Sequence, residues 1–416
     1  MLPQGSPCSP IIADLISHPM DVRLAQLARD HGLTYTRYAD DLTFSTSQKA
    51  FPPPVAAMNG SSGSEWVLGE ELSKRITRAG FAVNPAKTRM QVRTTRQLVT
   101  GLTVNAKVNI RAAYYRHARS MCHVLFKTGA YYRPDEAGDA ITSLNPLEGI
   151  LSHIHHVKDA VETRDHLERV KNPTAFRKLY ARFLSYRYFV RLEQPLIICE
   201  GKTDNVYLKY AIRSLMAFHP RLGAWSGSQF ESAVTFFSYA NQAHKVLQLS
   251  GGTGHLKHLI LNYNATVRRF QNRPLSHPVI LLIDNDSGAK EIFGVIKEKF
   301  KITIDLNSND KFYHLIDNLY LVKTIESGGG QPSCIENLFD PALLKTDLKG
   351  KKFNPAKEFA SDGEYGKHVF AEAVVRPNAE TIDFPASRRS SSGWLPSWTT
   401  ISRPRLLVRR LTVDAV

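Results

Sequence analysis

Cysteine is scarce in this sequence, and so are long apolar runs. The four cysteines, Cys8, Cys122, Cys199 and Cys334, form no Cys-x-x-Cys or Cys/His spacing, so neither a zinc site nor a disulfide framework is predicted. No apolar run approaches the roughly 20 residues of a membrane span, and the amino end lacks a basic start followed by an apolar stretch. We therefore expect a cytoplasmic protein that is neither secreted nor embedded in a membrane.

Acidic residues are the minority among the charged side chains. The 416 residues contain 54 Lys and Arg against 38 Asp and Glu, which leaves a formal net charge of +16. A chain of this charge can neutralise a phosphate backbone, so nucleic acid is the leading partner class. Because many basic proteins bind no nucleic acid, the motifs have to decide.

The length predicts two or three domains, and the sequence changes character near residues 189–194. Before this point the patterns predict a helix, two short strands, a second helix, a third strand, a hairpin around Gly101 and a long, mostly helical stretch. These elements correspond to residues 21–30, 33–45, 65–79, 81–84, 97–110 and 112–190. After this point short apolar strands alternate with helices, which is typical of an α/β domain with a mainly parallel sheet. The predicted strands are residues 196–199, 246–249, 279–283 and 319–322.

Residues 385–416 differ from everything before them, being rich in Arg and Ser and without a clear period. One hypothesis is a disordered basic tail that adds affinity for phosphate. The hypothesis we prefer is a frameshifted reading of the gene, whose true frame completes the α/β domain.

Two adjacent aspartates stand between strand-forming residues in Tyr38-Ala39-Asp40-Asp41. A polymerase needs neighbouring carboxylates on a tight turn, because a pair of Mg²⁺ ions must activate the primer hydroxyl and stabilise the leaving pyrophosphate. A paired Asp by itself more often forms a turn or a helix cap.

The surrounding motifs change that balance. The segments Leu2-Pro3-Gln4-Gly5, Gly80-Phe81-Ala82-Val83-Asn84-Pro85-Ala86-Lys87 and Val99-Thr100-Gly101 flank the Asp pair. In this order they resemble the later half of the palm of reverse transcriptases, and Val99-Thr100-Gly101 resembles the signature of the retron group. The resemblance implies a partial palm over residues 1–110 and a helical thumb over residues 111–192, with Asp40 and Asp41 as catalytic metal ligands. It also implies nucleotide or primer contacts at Gln4, Gly5, Lys87, Val99, Thr100 and Gly101. Its implied partners are a structured retron RNA and the single-stranded DNA copied from it.

The chain departs from this family at its amino end. The family takes another metal-binding aspartate and the fingers from a region upstream of the Leu-Pro-Gln-Gly motif, and Met1 immediately precedes that motif here. We therefore expect no polymerisation by this polypeptide alone, unless a separate chain supplies the fingers.

A second pair of acidic motifs follows two predicted strands of the α/β domain. Glu200 and Asp204 come after residues 196–199, and Asp284 and Asp286 come after residues 279–283. Side chains at the carboxyl ends of such strands meet at one edge of the sheet, where a cluster of like charges requires a divalent cation, Mg²⁺ or Mn²⁺.

These motifs resemble the Toprim domain of topoisomerases, primases and OLD-family nucleases, here over residues 193–384. The resemblance implies a catalytic Glu200, metal ligands at Glu200, Asp204, Asp284 and Asp286, and a lysine at Lys367 that stabilises the transition state. The segment Ile335-Glu336-Asn337-Leu338-Phe339 resembles a late motif of the nuclease branch.

The fold class predicted overall is multidomain, α+β followed by α/β. The function predicted is a retron reverse transcriptase fragment fused to a Mg²⁺-dependent nuclease that cleaves DNA or RNA, an arrangement that by resemblance implies antiviral defence. Two alternatives are a non-catalytic binder of the retron RNA–DNA product and a topoisomerase or primase.

Overall fold

The chain folds into two compact units, residues 1–112 and 113–416. The computed structural model describes residues 5–59, 65–133, 138–216, 220–324, 333–356, 362–379 and 381–382. The basic tail, residues 385–416, lies outside these ranges. Within them, every helix is too short or too polar to span a bilayer.

The described residues of the first unit form two helices and three two-stranded antiparallel sheets. In chain order the elements are α1 (Ser9–Asp30), β1 (Thr34–Tyr38), β2 (Asp41–Ser45), β3 (Ala56–Asn59), β4 (Glu65–Leu68), α2 (Glu70–Arg78), β5 (Leu98–Val99) and β6 (Leu102–Thr103). Met20, Leu24, Leu27 and Ala28 recur at helical spacing and form the buried side of α1. They pack with Leu72 and Ile76 of α2 and with the β1–β2 hairpin to form the core.

Three predictions for this unit need correction. Helix α1 begins at Ser9 rather than at Asp21, because Pro19 is accommodated inside the helix instead of ending it. The predicted helix over residues 65–79 is a strand, β4, followed by α2, because Gly69 breaks the helix and donates its N–H to the carbonyl of Val55 at 2.8 Å.

The third correction concerns residues 81–84, which form no strand. Gly80, at φ +81°, ends the preceding helix, and the N–H of Phe81 turns back to the carbonyl of Ile76. Phe81 and Val83 still pack against the core. The alternating apolar residues of this segment therefore reflect packing against the core and not pairing with another strand.

The second unit begins with helices and continues as an α/β fold. The helices are α3 (Ala112–Thr128), α4 (Asn145–Ala160), α5 (His166–Lys171) and α6 (Ala175–Ser185), which continues as a π-helical turn at Tyr186–Val190. The sheet region then contains β7 (Leu196–Cys199), α7 (Asp204–Ser214), β8 (Gly223–Ser226), β9 (Gln229–Ser232), β10 (Thr235–Phe236), α8 (Gln242–Leu247), α9 (Thr253–Arg268), β11 (Val279–Ile283), α10 (Ala289–Phe300), β12 (Tyr313–Ile316) and β13 (Leu319–Lys323). It ends with α11 (Pro341–Leu344), β14 (Lys352–Phe353), β15 (Glu364–Tyr365), α12 (Lys367–Val369) and a π-helical turn at Phe370–Val375.

A five-stranded sheet in the order β10-β7-β11-β13-β12 lies at the centre of this unit. The first four strands are parallel and β12 is antiparallel to β13, so the sheet is mainly parallel, as the alternation of strands and helices predicts. Every residue of β7 and β11 is buried, which explains why both strands read as continuous apolar runs.

The predicted strand at residues 246–249 is wrong. These residues include the carboxyl end of α8, after which Gln248 adopts a left-handed conformation, while the side chain of Asn241 caps the amino end of the helix. Ala243 and Val246 lie one helical turn apart and are both buried, so this short apolar stretch follows helical spacing.

Buried polar contacts join the helical part of the second unit to its sheet. The side chain of Asn318, in the turn between β12 and β13, donates to the carbonyls of Phe189 at 3.0 Å and His277 at 2.8 Å, and accepts from the hydroxyl of Tyr263 at 2.8 Å. The guanidinium of Arg182 lies over the rings of Phe126 and Phe270, at 4.8 and 5.5 Å from their centroids. The helices and the sheet therefore share one interior.

Candidate active site

The acidic residues of the α/β part lie where the two central strands end. Strands β7 and β11 pair in parallel, with Cys199 beside Leu282, so the residues that follow them are neighbours. The backbone N–H of Asp284 points to Oε2 of Glu200 at 3.4 Å. Asp286 follows two residues later and accepts from the N–H of Gly288 at 2.8 Å.

Asp204 joins this group from the first turn of α7. It is 5% exposed, and its Oδ2 accepts from the N–H of Gly201 at 2.8 Å. A Cβ at position 201 would lie 2.6 Å from Oδ1 of Asp204, so the glycine lets the carboxylate approach the backbone. The turn after β7 therefore places Glu200 and Asp204 on the same side.

A third segment brings Glu336 to the cluster. Oδ1 of Asp284 accepts from the N–H of Ile335 at 2.9 Å, which fixes the start of the turn that carries Glu336. Glu336 is 1% exposed and forms an ion pair with Nζ of Lys367 at 3.0 Å. Glu336 belongs to a motif that the sequence analysis identifies, but no role is predicted for this residue. Its position as the one acidic residue of the Ile335–Phe339 motif is the signal that could identify it.

Burial and mutual repulsion raise the pKa values of three carboxyl groups, those of Glu200, Asp204 and Asp284. Burial, followed by the charges of Asp204 and Glu336, raises the pKa of Asp284 to about 8. Burial and the charge of Glu336 raise the pKa of Asp204 to about 6. Burial also raises the pKa of Glu200, with smaller contributions from Asp286 and Asp204.

Lys367 is the counter-charge within this cluster. Burial acts to lower the pKa of its ammonium group, but Glu336, Asp284 and Asp204 outweigh that effect and raise it. The predicted site residues Glu200, Asp204, Asp284, Asp286 and Lys367 therefore influence one another electrostatically.

The chemistry of this donor set fits a hard divalent cation, because buried oxygen ligands carrying like charges are stabilised by one. Among the described residues, however, no group of three or more His, Cys, Asp or Glu side chains is arranged to hold a metal ion. The carboxylates instead turn to partners within the protein: Asp204 to Gly201, Asp284 to Ile335, and Glu336 to Lys367.

The second pair of predicted carboxylates lies in the first unit, at the tip of the β1–β2 hairpin. Tyr38 pairs with Asp41, which leaves Ala39 and Asp40 as a two-residue turn, with Ala39 in the left-handed region at φ 51°. Asp40 and Asp41 are both exposed. The turn presents them to solvent without burying either.

Arg37 fixes this hairpin to α1. Its guanidinium forms ion pairs with Asp21 at 2.9 Å and Asp14 at 3.1 Å, and it also donates to the carbonyl of Ala39 at 2.9 Å. The hydroxyl of Tyr35 donates to Asp21 at 2.7 Å. Burial acts to raise the pKa of Asp21, but the hydrogen bonds from Arg37 and Tyr35 and the charge of Arg37 outweigh it and lower the pKa. Sequence reasoning missed this network, because its partners lie 14 to 23 residues apart with no motif around them.

The predicted nucleotide and primer contacts lie elsewhere in this unit. Gly5 adopts φ +84°, and Lys87 is exposed in a turn after α2. Val99 precedes a tight turn in which Thr100 and Gly101 both have positive φ, at 46° and 85°, as a two-residue hairpin turn requires. No hydrogen bond among the described residues of this unit links them to Asp40 or Asp41, and Gln4 lies outside those residues.

Comparison with known proteins covers the amino-terminal part of the chain. Residues 1–107 match the family model described as reverse transcriptase (RNA-dependent DNA polymerase). This segment contains the Asp40–Asp41 hairpin and the Val99–Thr100–Gly101 turn. No solved structure matches the chain.

Three relatives are retron reverse transcriptases. The Mx162 enzyme of Myxococcus xanthus is 37% identical over 160 residues, which cover 37% of this chain and 31% of the relative. The Mx65 enzyme of the same organism is 38% identical over 120 residues, 29% of this chain and 25% of the relative. The Ec86 enzyme of Escherichia coli is 35% identical over 127 residues, 30% of this chain and 36% of the relative.

The chain thus spans between a quarter and somewhat more than a third of the length of these relatives. The exposed aspartate hairpin stands inside the matched segment, where the sequence motifs place the polymerase resemblance. Residues 1–107 are therefore similar to reverse transcriptases, and the three relatives described above are retron reverse transcriptases.

Proposed function

We propose that residues 193–384 form a Toprim-like, Mg²⁺- or Mn²⁺-dependent phosphodiesterase that cleaves DNA or RNA. One observation carries this proposal: five acidic residues from three separate segments lie together at the carboxyl edge of a parallel sheet, and Lys367 pairs with one of them, Glu336. The five are Glu200, Asp204, Asp284, Asp286 and Glu336, of which Asp204 and Glu336 are buried. A cluster of partly buried like charges costs stability, and clusters of this kind are typical of functional sites.

The residues divide the work by position. Asp204, Asp284 and Asp286 would hold the cation, which when bound supplies Lewis acidity toward a phosphate oxygen. Glu200 is suited to proton transfer, because burial raises its pKa toward the range in which a carboxyl group can both take up and release a proton. Lys367, held by Glu336, would place a positive charge where negative charge develops on the phosphate.

For the amino-terminal part we propose the role of its family, RNA-directed DNA synthesis, with Asp40 and Asp41 as the metal-binding pair. Its proposed partners are a structured retron RNA and the DNA copied from it, and residues 111–192 would act as the thumb. The same assignment gives the phosphodiesterase a role in antiviral defence as the effector joined to the polymerase. The net charge of +16 supports contact with nucleic acid in both parts.

The nuclease is tested by cleavage assays on the full chain. Labelled single- and double-stranded DNA and RNA would be incubated with Mg²⁺ or with EDTA, using wild type, Glu200→Gln, Asp284→Asn and the exposed control Glu298→Gln. We expect Mg²⁺-dependent cleavage by wild type and the control, and a loss of roughly 100-fold or more in the two site variants, as for removal of a proton-transfer group.

If all four proteins bind nucleic acid and none cleaves it, the chain is a non-catalytic binder. If wild type relaxes supercoiled DNA without net strand loss, a topoisomerase replaces the nuclease. Cleavage that persists unchanged in Glu200→Gln and Asp284→Asn would assign the activity to another site.

A further inference from the structure

The residue between the two aspartates after β11 is held on every side. Asn285 is 1% exposed, and its backbone N–H lies 2.9 Å from both the carbonyl of Ser333 and Oγ1 of Thr324. Its carbonyl accepts from the N–H of Ser333 at 3.0 Å, and its side-chain Nδ2 donates to the carbonyl of Leu306 at 2.9 Å. Asp284 and Asp286 are therefore the neighbours of one immobilised residue.

A buried lysine completes this arrangement. Lys323, at the end of β13, is 8% exposed, and its Nζ donates to Oδ1 of Asn285 at 3.2 Å. The same ammonium group donates to the carbonyls of Asp305 at 2.9 Å and Leu306 at 2.8 Å. An ammonium group is costly to bury, and here three oxygen acceptors from two segments compensate for the lost hydration.

The pairing of Asn285 with Ser333 reaches the other arm of the acidic cluster. Two residues after Ser333, the N–H of Ile335 binds Asp284, and the next residue is Glu336. The contact that fixes Asn285 therefore also sets where the segment bearing Glu336 meets the segment bearing Asp284.

We infer that Lys323 is a positioning residue for the acidic cluster: by clamping Asn285 to the 305–306 segment, it fixes the relative placement of Asp284, Asp286 and Glu336. The inference rests on the proposed function for its consequence, since these carboxylates would hold the cation. Lys323 itself touches neither substrate nor cation in this role. Lys367 lies among the carboxylates, so the two lysines have separate tasks.

The test uses the full chain with Lys323→Met, which keeps the length of the side chain and removes its donors. Lys297→Met, on the exposed side of α10, is the matched control. Hydrogen–deuterium exchange would be followed in peptides covering 283–287 and 333–336, and Mn²⁺ affinity would be measured by calorimetry without substrate. We expect exchange in both peptides to be at least about tenfold faster in Lys323→Met, and Mn²⁺ affinity to fall by about 10- to 100-fold, as for loss of a residue that orients metal ligands. Lys323→Arg should recover part of both.

Wild-type exchange and Mn²⁺ affinity in a folded Lys323→Met would overturn the inference. If that variant does not fold, Asn285→Ala tests the same contact from the other side, because it removes the amide that Lys323 binds. Wild-type exchange and Mn²⁺ affinity in Asn285→Ala would overturn the inference equally. If the wild-type chain binds no Mn²⁺, the proposed metal-dependent function fails. The exchange data then show by themselves whether Lys323 holds Asn285 in place, since that measurement requires no cation.

Discussion

At the scale of single residues, the acidic cluster makes the stability of the fold depend on pH. Asp284 has a pKa of about 8 in the fold against an ordinary value of 3.8, so the folded state takes up a proton that the unfolded chain releases. The contribution of this proton uptake to the free energy of unfolding is fully present below about pH 4 and is lost as the pH rises through 8. A divalent cation that binds only the folded state would restore it.

We therefore expect the second unit to unfold more easily at pH 8 than at pH 5 in EDTA. Asp284→Asn, which stays neutral, should reduce this difference and gain at least about 1 kcal/mol at pH 8, because one pKa unit corresponds to roughly 1.4 kcal/mol. Denaturant unfolding at the two pH values measures it, with the exposed Asp310→Asn as the control. Equal stability of Asp284→Asn and wild type at pH 8 would contradict the raised pKa.

Sequence patterns could locate some of these residues and not others. Glu200, Asp284 and Asp286 each follow a strand that reads as a continuous apolar run, so their position at one sheet edge could be predicted. Lys323 ends β13 and Arg37 lies within β1, but neither belongs to a motif that predicts its role, and the motif around Glu336 does not reveal its partner. Their roles depend on contacts with segments distant in the sequence, such as Lys323 with Asn285 across 38 residues.

At the scale of elements, α1 has two apolar sides and buries only one. Ile11, Leu15, Ile16 and Val22 are between 54% and 69% exposed, opposite the side that carries Leu24. The buried side packs in the core of the first unit, whereas a substitution on the exposed side removes no core contact.

Leu15→Lys is accordingly expected to leave stability within about 0.5 kcal/mol of wild type, because the side chain is already in solvent. Leu24→Ala, on the buried side of the same helix, should cost about 2–5 kcal/mol. Thermal unfolding of the full chain compares the two. A loss of stability in Leu15→Lys as large as that in Leu24→Ala would show that this side of α1 is covered.

Element boundaries were predictable where local sequence agrees with packing. The parallel strands β7, β11 and β13 match their apolar runs closely, whereas residues 246–249 became the end of a helix and residues 81–84 an unpaired segment. A run of four apolar or alternating residues is compatible with a strand, a helix end or an irregular segment. The tertiary contacts that decide among these cannot be read from the local sequence.

At the scale of the whole molecule, the two compact units each have a core of their own. The first centres on α1 and α2, and the second on the five-stranded sheet. A change inside one core should therefore not weaken the other. The sequence changes character near residues 189–194, where the helices end and the sheet begins, and both lie in the same compact unit. A shift in composition cannot distinguish such a change of secondary structure from a boundary between compact units.

Scanning calorimetry of the full chain should then resolve two transitions. Asp21→Asn removes one of the two charged partners of Arg37 and should destabilise the first unit by about 1.5–3 kcal/mol, with Asp30→Asn as its exposed control. Asp284→Asn should move only the other transition. A single transition shifted by both variants would show that the units unfold together.

The amide of Asn318 has a mechanical consequence. This one side chain holds the backbone at Phe189, the backbone at His277 and the phenol of Tyr263, so it fastens the last helical turn before the sheet to two later segments. A break in the peptide chain between Arg191 and Pro195 would consequently leave two pieces that remain docked. A force applied to the helices would be transmitted to the sheet through these hydrogen bonds as well as through the connecting residues.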